Sequence, residues 1–356
     1  MTSKTQSPIK GRGTADNPDP RYSRLARESF DDGWGEAETS SPRTQLYTDA
    51  SKTIISRNQS PDVPFEQSIN PYKGCEHGCA YCFARPTHAY LDLSPGLDFE
   101  TRIFAKPNAA ELLAEELARP SYRPRPIALG VNTDAYQPLE RRLGITREIL
   151  EVLAAHRHPV SLITKSSLIE RDIDLLAPMA EKNLVQVAVS LTTLDHELSR
   201  SLEPRAASPK RRLQTMHNLA EAGIPVGVLF APVIPALNDS EMEGLLQSAA
   251  EAGASSAGYV VLRLPHEVRE LFEAWLREHR PLKATYVMNL IRDMRGGQAY
   301  SARFGERMSG TGQHAELIAQ RFRLACKKAG LSRRQLALDS SLFRLPEQAG
   351  QQLDLF

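Results

Sequence analysis

The sequence predicts an α/β fold in which a parallel sheet curves into a closed or partial barrel. Short apolar runs alternate with amphipathic helices along the chain, which is typical of a parallel sheet built from βαβ units. No G-x-G-x-x-G follows the first of these runs, so a dinucleotide-binding sheet is disfavoured. The 356 residues suffice for one large α/β domain with extensions or for two ordinary domains.

The strands and helices of this pattern follow one another from residue 126 to residue 265. The predicted strands are 126–134, 159–167, 185–193, 225–235 and 257–265, and the predicted helices between them are 146–158, 173–183, 209–223 and 240–253. Each strand is a short apolar run, and each helix is amphipathic. Thr146 is predicted to cap the first of these helices, and Gly223 to end the third.

Composition divides the chain into four segments. Residues 1–60 are rich in Ser, Arg, Asp, Gly and Pro and have little apolar periodicity, which predicts a largely disordered N-terminal extension or one held loosely on the surface. Residues 61–268 form the predicted barrel. Residues 269–345 form a predicted helical C-terminal extension, and residues 346–356 follow as a flexible tail.

Charge, apolar runs and cysteine number favour a cytoplasmic protein. The formal net charge is +1, so any anionic partner must be bound by a local patch. The first residues have no apolar core like that of a secretory signal, and nowhere do eighteen apolar residues run together, so no membrane span is expected. Four cysteines in a chain of this length do not make a disulfide framework and instead indicate a metal or catalytic site in a reducing compartment.

Three of the four cysteines, Cys75, Cys79 and Cys82, lie within eight positions in the pattern C-x3-C-x2-C. Three thiolates on one loop can hold a soft metal centre and leave one position uncovered. Structural zinc needs a fourth ligand, which His77 or His88 would have to supply. An iron–sulfur cube fits better, because three irons take the thiolates and the fourth iron stays free for a small molecule.

Polar residues follow several of the predicted strands. They are Asn132, Thr133, Asp134, Lys165 and Ser190. In barrels of parallel strands the chemistry gathers at the carboxyl ends of the strands, so these side chains are candidates for one site. The alternative is that they are helix caps and turn residues.

The motif C-x3-C-x-aromatic-C in "CEHGCAYC" resembles the signature of the radical S-adenosylmethionine (SAM) superfamily. This resemblance implies a partial (β/α)6 barrel and a [4Fe-4S] cluster on Cys75, Cys79 and Cys82. It also implies that SAM binds the free iron and is cleaved reductively to a 5′-deoxyadenosyl radical. An external reductant of the flavodoxin or ferredoxin type would supply the electron.

Further motifs, among them "LGVNTDAYQPLE", "LITKSSL", "VSLTTLD", "LEPRAASPKRRL" and "APVIPALND", resemble the spore photoproduct lyase group, the SplB-type DNA repair photolyases. The resemblance covers roughly residues 45–345. It implies that Ser190 and Arg205 contact SAM, with Tyr81 beside the cluster. Residues Asn132, Thr133, Asp134 and Lys165 would face the same cavity. Asp134 and Lys165 could instead pair with each other.

One feature departs from the spore photoproduct lyases, which use a further cysteine to return a hydrogen atom to the substrate. The remaining thiol here, Cys326, lies far along the chain in a predicted helix and is expected to be inert. The resemblance therefore supports radical chemistry on nucleic acid such as a DNA lesion. A second hypothesis is a radical SAM enzyme that modifies RNA, a peptide or a small molecule. A third hypothesis is a non-catalytic Cys3His zinc module.

A loop near the C-terminus suggests a nucleic-acid partner. The loop 294–312 carries arginines and aromatic residues, which suit nucleic acid or a phosphorylated ligand unless the loop is merely solvated surface. These residues are Arg295, Arg303, Arg307, Tyr300 and Phe304.

The chain ends in "QQLDLF", which resembles the peptide that bacterial DNA polymerases and repair proteins use to bind the β sliding clamp. The residues concerned are Gln352, Leu353, Asp354, Leu355 and Phe356. The alternative is that this apolar end folds against its own domain.

Overall fold

The computed structural model describes residues 9–23, 42–334 and 336–345. The predicted clamp-binding tail, residues 346–356, lies outside the described residues, as do residues 1–8 and 24–41 of the predicted N-terminal extension. None of the helices in the described part combines the length and the apolarity that crossing a bilayer requires.

Ten strands form two sheets within the described ranges. In chain order they are β1 (Gln45–Thr48), β2 (Ser56–Arg57), β3 (Gln67–Ile69), β4 (Tyr72–Lys73), β5 (Arg102–Ala105), β6 (Ile127–Leu129), β7 (Val160–Thr164), β8 (Val185–Ser190), β9 (Val226–Val233) and β10 (Ser256–Val261). The larger sheet has the order β10-β9-β8-β7-β6-β3-β2, and the smaller sheet has the order β1-β5-β4. In the larger sheet β3 and β6 to β10 are parallel, and β2 pairs antiparallel with β3 at one edge.

The described ranges also contain eleven α-helices. They are α1 (Asp98–Thr101), α2 (Ala109–Leu117), α3 (Glu140–Leu143), α4 (Ile145–Ala155), α5 (Ile173–Ala180), α6 (His196–Leu202), α7 (Pro209–Glu221), α8 (Met242–Glu251), α9 (Val268–His279), α10 (Pro281–Asp293) and α11 (Gly312–Ala329). Six parallel strands with intervening helices make a partial (β/α)6 barrel, so the predicted fold class is confirmed. The last three helices form the predicted helical C-terminal region, in which α11 packs on α8.

The strands β6 to β10 and the helices α4, α5, α7 and α8 lie where the sequence predicts them, because each is a local apolar run or an amphipathic segment. The sequence analysis did not predict the short helices α3 and α6. The predicted cap of α4 is wrong. This helix begins at Ile145 after Gly144, which has a positive φ of 71°. Thr146 lies inside the first turn, and its hydroxyl donates to the carbonyl oxygen of Ala135 over 2.7 Å.

The described part of the N-terminal extension is held against the domain. The N–H of Gly13 donates to Glu100 Oε2 over 3.0 Å, and the N–H of Leu97 donates to the carbonyl oxygen of Asp16 over 3.1 Å. A Cβ at Gly13 would lie 1.6 Å from the carbonyl oxygen of Gly78, so only glycine fits. The sequence analysis expected a loose segment here. It missed these contacts because the partners lie about 80 positions further along the chain, and composition does not reveal contacts between distant residues.

A fully buried ion pair lies beneath the cysteine segment. Arg85 Nη2 lies 2.5 Å from Glu100 Oε1, and neither side chain is exposed. The same guanidinium donates to the carbonyl oxygens of Gly78 and Cys79 over 3.2 and 2.9 Å. One cation therefore fixes both the carboxylate and the backbone between two of the cysteines.

Replacing Arg85 by Met is expected to lower the free energy of unfolding by about 3–5 kcal/mol, because Glu100 then stays buried without its counter-charge. Urea unfolding followed by circular dichroism measures the loss. Arg321→Met is the matched control: Arg321 pairs with Glu243 at the surface, and losing such a pair costs about 0–1 kcal/mol. Equal losses in the two variants would contradict the role assigned to Arg85.

Candidate functional site

A cavity of about 450 Å³ opens at the carboxyl ends of the barrel strands. Residues that end or follow β6, β7, β8 and β9 line it, among them Asn132, Lys165, Ser190 and Pro232. The same cavity is lined by the three clustered cysteines, Cys75, Cys79 and Cys82. Because the thiols meet the polar strand ends here, this cavity is the candidate functional site.

Two glycines shape the cysteine segment. Gly74 and Gly78 have φ values of +82° and +66°, a left-handed conformation that favours glycine. Each comes directly before a cysteine, so these turns set how Cys75 and Cys79 enter the cavity wall. A Cβ on Gly78 would lie 2.5 Å from Glu100 Oε2, which leaves no space for a side chain.

Tyr81, predicted to lie beside the cofactor, is anchored by a buried carboxylate. Its hydroxyl donates to Glu203 and lies 3.2 Å from Thr192 Oγ1. Glu203 is also paired with Arg212, which is itself buried. Burial alone would raise the pKa of Glu203, but the charges of Arg212 and Lys165 hold that pKa below its usual value. An ionised carboxylate therefore fixes the ring that stands between the last two cysteines in sequence.

Asp134 is held by several donors at the cavity wall. His77 Nδ1 lies 3.3 Å from Asp134 Oδ2, and the hydroxyl of Thr164 donates to Asp134 Oδ1 over 2.7 Å. Burial alone would raise the pKa of Asp134, but the contact with His77 and the other donors lower it to about 2. The backbone N–H of Lys165 donates to Asp134 Oδ2 over 2.9 Å, so Asp134 is bonded to the main chain of Lys165 and the ammonium stays available.

The side chain of Lys165 lies inside the site. Its Nζ atom is 5.9 Å from the centroid of the Tyr81 ring. Burial lowers the pKa of Lys165, but Cys79 and Glu203 outweigh burial and raise it above its usual value. A protonated ammonium on a partly apolar cavity wall attracts a carboxylate or a phosphate of a ligand.

Burial also governs the thiols. It raises the pKa of Cys75 well above its ordinary value and that of Cys79 to about 12. Because thiolates are the metal ligands, both groups must release their protons as metal enters.

Most of the residues predicted to bind SAM or to face the site line the cavity. They are Tyr81, Asn132, Asp134, Lys165 and Ser190. Thr133 is not in the lining, because its hydroxyl turns inward and donates to the carbonyl oxygen of Tyr72 over 2.7 Å. Arg205 is not in the lining either: its Nη2 atom lies 3.2 Å from Glu76 Oε1. Contact of Arg205 with SAM stays a prediction.

The two histidines considered as zinc ligands differ in position. His77 lines the cavity, with its Nδ1 atom turned to Asp134. His88 lies outside the lining, and its Nε2 atom is 3.0 Å from the carbonyl oxygen of Arg102. In residues 9–23, 42–334 and 336–345, no three Cys, His, Asp or Glu side chains are arranged to hold a single metal ion.

Two arginines at the cavity wall each stack on a phenylalanine ring. The guanidinium carbon of Arg263 lies 4.7 Å from the ring centroid of Phe83, and that of Arg307 lies 4.7 Å from the centroid of Phe304. The rings of Phe83 and Phe304 are 41% and 60% exposed. Exposed rings beside cations form a surface on which a planar ligand can stack.

The other residues singled out in 294–312 have different surroundings. Arg295 is buried and donates to the carbonyl oxygens of Leu262 and Glu306, so its cation is used within the protein. Arg303 is exposed. Tyr300 lines a second cavity, of about 690 Å³.

A clasp between two distant loops lies across the open side of the partial barrel. Asp62 Oδ1 accepts from the N–H of Gly305 over 2.7 Å, and Asp62 Oδ2 accepts from Arg307 Nε over 2.5 Å. The first loop joins β2 to β3, and the second lies between α10 and α11. Since β2 and β10 are the two ends of the larger sheet, this Asp62–Arg307 clasp helps to enclose the cavity.

The sequence analysis missed several residues of this site. Phe65 lines the cavity from the loop before β3, where composition gave no signal. Arg263 could have been found, because it stands near the end of the last predicted strand, as the other candidate residues stand near the ends of theirs. Glu203 stands in the quoted motif "LEPRAASPKRRL", and only burial shows that it organises Tyr81 and Arg212.

These features fit a [4Fe-4S] cluster with bound SAM. Three soft sulfur donors come from one segment, which is the donor set of a cluster that keeps one iron free. The cavity beside them has a volume within the ~300–1,000 Å³ of small-molecule sites, and ammonium, hydroxyl and amide groups line it.

Comparisons with known proteins agree with this site. The Radical SAM superfamily model matches residues 69–249. An uncharacterized protein of Mycobacterium tuberculosis is 43% identical over 227 residues, which cover 63% of this chain and 67% of that protein. An uncharacterized protein of Methanocaldococcus jannaschii is 28% identical over 173 residues, covering 49% of this chain and 62% of that protein.

Among solved structures, mutants of spore photoproduct lyase share the fold. One of them aligns with a TM-score of 0.59 and 15% identity. Another, with bound AdoMet and dinucleoside spore photoproduct, aligns with a TM-score of 0.60 and 14% identity. Both alignments cover 82% of this chain and 82% of the other. At this level of identity the likeness concerns the fold alone.

The Cys79→Ala variant is expected to lose almost all of its iron and labile sulfide after anaerobic reconstitution, because two thiolates do not retain the cluster. Iron analysis and the visible absorbance measure this loss. Cys326→Ala is the matched control, since Cys326 is buried in α11 and is absent from the cavity lining. Full iron content in Cys79→Ala, or equal losses in both variants, would contradict the assignment.

Proposed function

The chain belongs to the radical SAM superfamily of enzymes, and from this membership we propose that it acts on a damaged base in DNA. A [4Fe-4S] cluster with SAM on its free iron supplies a 5′-deoxyadenosyl radical by one-electron cleavage of SAM. The observation that carries the proposal is the meeting of the three cysteines with stacking surfaces at one cavity.

The chain's own residues have distinct roles in this proposal. Cys75, Cys79 and Cys82 hold the cluster. The ammonium of Lys165 would bind the SAM carboxylate, and Ser190 and Asn132, which line the same cavity, would form hydrogen bonds with the rest of the molecule. Asp134, ionised because its pKa is low, orients His77 and the backbone of Lys165.

The cavity mouth supports a nucleobase as substrate. Arg263 over Phe83 and Arg307 over Phe304 give two cation–ring pairs, and both arginines line the cavity. Bases stack on such rings, and Arg263 can bind a phosphate, whereas the guanidinium of Arg307 is already paired with Asp62. The exposed side chain of Arg303 adds a cation to the same loop. With a net charge of +1, this local concentration of arginines would have to supply the attraction to DNA.

The solved structures that share this fold support a DNA lesion as the class of substrate. Spore photoproduct lyase binds dinucleoside spore photoproduct in one of the aligned structures. Here Cys326 is buried away from the cavity, so it offers no hydrogen atom to a substrate there. We therefore favour repair of a pyrimidine lesion other than the spore photoproduct. A cytoplasmic location follows from it, since DNA and reduced thiols are found there.

Ultraviolet-irradiated DNA is expected to raise the rate of 5′-deoxyadenosine formation several-fold in anaerobic protein supplied with dithionite and SAM. Substrate binding excludes water and positions SAM for cleavage, which is the physical reason. Chromatography of the products measures the rate, with unirradiated DNA and irradiated RNA as parallel samples. Stimulation by RNA but not by DNA would overturn the choice of substrate and leave the radical chemistry intact.

A measurement of DNA affinity tests the loop that carries Arg303. Arg303→Ala is expected to weaken DNA binding more at low than at high salt, because salt screens an exposed charge. Arg323→Ala, an exposed arginine of α11, is the matched control. Identical affinities for the wild type and Arg303→Ala at every salt concentration would remove this loop from the DNA interface.

We also propose that the C-terminal peptide binds the bacterial β sliding clamp. Leu353, Leu355 and Phe356 supply apolar anchors and Gln352 a polar one, so a short extended segment can enter a preformed pocket. Deleting residues 351–356 is expected to abolish binding to purified clamp in interferometry while leaving the iron content unchanged. Gln348→Ala in the full chain is the control, because Gln348 precedes the peptide and its loss should leave clamp binding as in the wild type. Unaltered clamp binding after the deletion would refute the proposal.

A further inference from the structure

We propose that one face of the smaller sheet is the docking surface for a flavodoxin, a small acidic flavoprotein that donates the reducing electron. This proposal rests on the radical SAM chemistry described above. The face, called here the outer face, consists of Gln45 and Tyr47 of β1, Lys73 of β4, and Arg102 and Phe104 of β5.

The pairing of the strands puts these residues together. Phe104 is paired with Tyr47 on one side and with Lys73 on the other, and Arg102 is paired with Gln45. Paired residues of neighbouring strands lie on the same face of a sheet. The rings of Tyr47 and Phe104 stack with their centroids 5.0 Å apart, and all four residues of β1 are exposed.

The charges of the outer face suit an acidic partner. The side chains of Lys73 and Arg102 are 41% and 36% exposed, whereas their partners Asp49 and Asp98 are 6% and 7% exposed. The cations therefore point outward around an aromatic centre, and the carboxylates lie beneath. Encounters between redox proteins use small interfaces of this kind, in which complementary charge raises the association rate.

A series of packed rings connects this face to the cluster loop. The centroids of Phe104 and His88 are 6.4 Å apart, and those of His88 and Phe99 are 5.1 Å apart. Phe99 packs in one small buried cluster with Cys75, whose N–H donates to the Phe99 carbonyl oxygen over 2.9 Å. Electrons tunnel better through packed atoms than through gaps, so the outer face offers a continuous route inward.

Within the described part of the chain, two other approaches to the cysteine segment are already in use. The cavity on one side must hold SAM and the substrate. On another side Gly13 packs against the carbonyl of Gly78 and donates its N–H to Glu100. One strand of the smaller sheet leads directly into the cysteine segment, since β4 ends two residues before Cys75. In the redox step the donor loses one electron to the cluster, and no covalent bond of either protein forms or breaks.

Gln45→Glu tests the surface with the smallest change. The substitution adds one negative charge. The new carboxylate can still accept the hydrogen bond that the Tyr47 hydroxyl donates to Gln45 Oε1 over 2.7 Å. The expected result is an affinity for purified flavodoxin that is about threefold weaker or more at low salt and nearly equal to wild type at high salt. Tyr47→Asp is expected to weaken it about tenfold, as loss of a central anchor does.

Gln313→Glu on α11 and Tyr286→Asp on α10 are the matched controls, because both positions are exposed and lie outside the outer face. Binding is measured by interferometry, and cluster reduction by the bleaching of its absorbance with reduced flavodoxin or with dithionite. The outer-face variants should slow bleaching by flavodoxin and leave bleaching by dithionite unchanged.

The possible failures are distinguishable. If dithionite bleaches no chromophore in the wild type, the radical SAM chemistry itself fails. If dithionite works and the outer-face variants bind flavodoxin and accept its electron like the controls, the docking proposal is wrong. If Tyr47→Asp slows both reductants while Gln45→Glu slows neither, the effect of Tyr47 is structural and the docking proposal is also wrong.

Discussion

The site depends on holding three thiols in place on a segment with very little regular structure. Two buried pairs of arginine and glutamate do this, one on each side of the loop. Arg85 and Glu100 fix the backbone around Gly78, and Arg212 and Glu203 fix the ring of Tyr81. Buried charges are costly unless they are paired and hydrogen-bonded, and both carboxylates accept from several donors. The surroundings of the cysteines are therefore held in place by residues that do not line the cavity.

The sequence predicted the parts of the fold and site that local patterns encode. Strands such as β8 and helices such as α7 are apolar or amphipathic over their own length, so their positions could be found without tertiary information. The cysteines were found because three soft ligands at this spacing have few other uses. Polar strand ends gave the location of the cavity, because parallel strands bring their carboxyl ends to one edge.

What the sequence could not supply is decided by long-range contact. The same polar strand end contains Asn132, which lines the cavity, and Thr133, which turns to the carbonyl of Tyr72. The direction of each side chain depends on the neighbouring strand and not on its own residue type. The strand β3 has only three residues, and the outer face of the smaller sheet exists because β1 pairs with a strand more than fifty positions away. Such short elements carry no periodic signal.

The Asp62–Arg307 clasp joins residues that are 245 positions apart, which has a consequence for how the protein matures. Chains leave the ribosome from the N-terminus, and their early parts can fold first. Gly13, Arg85 and Glu100 have all emerged long before Arg307 has been made. The residues of the Arg85–Glu100 pair are therefore present while one wall of the chamber is still missing. A chamber whose wall includes Arg307 can be completed only after nearly the whole chain has been made.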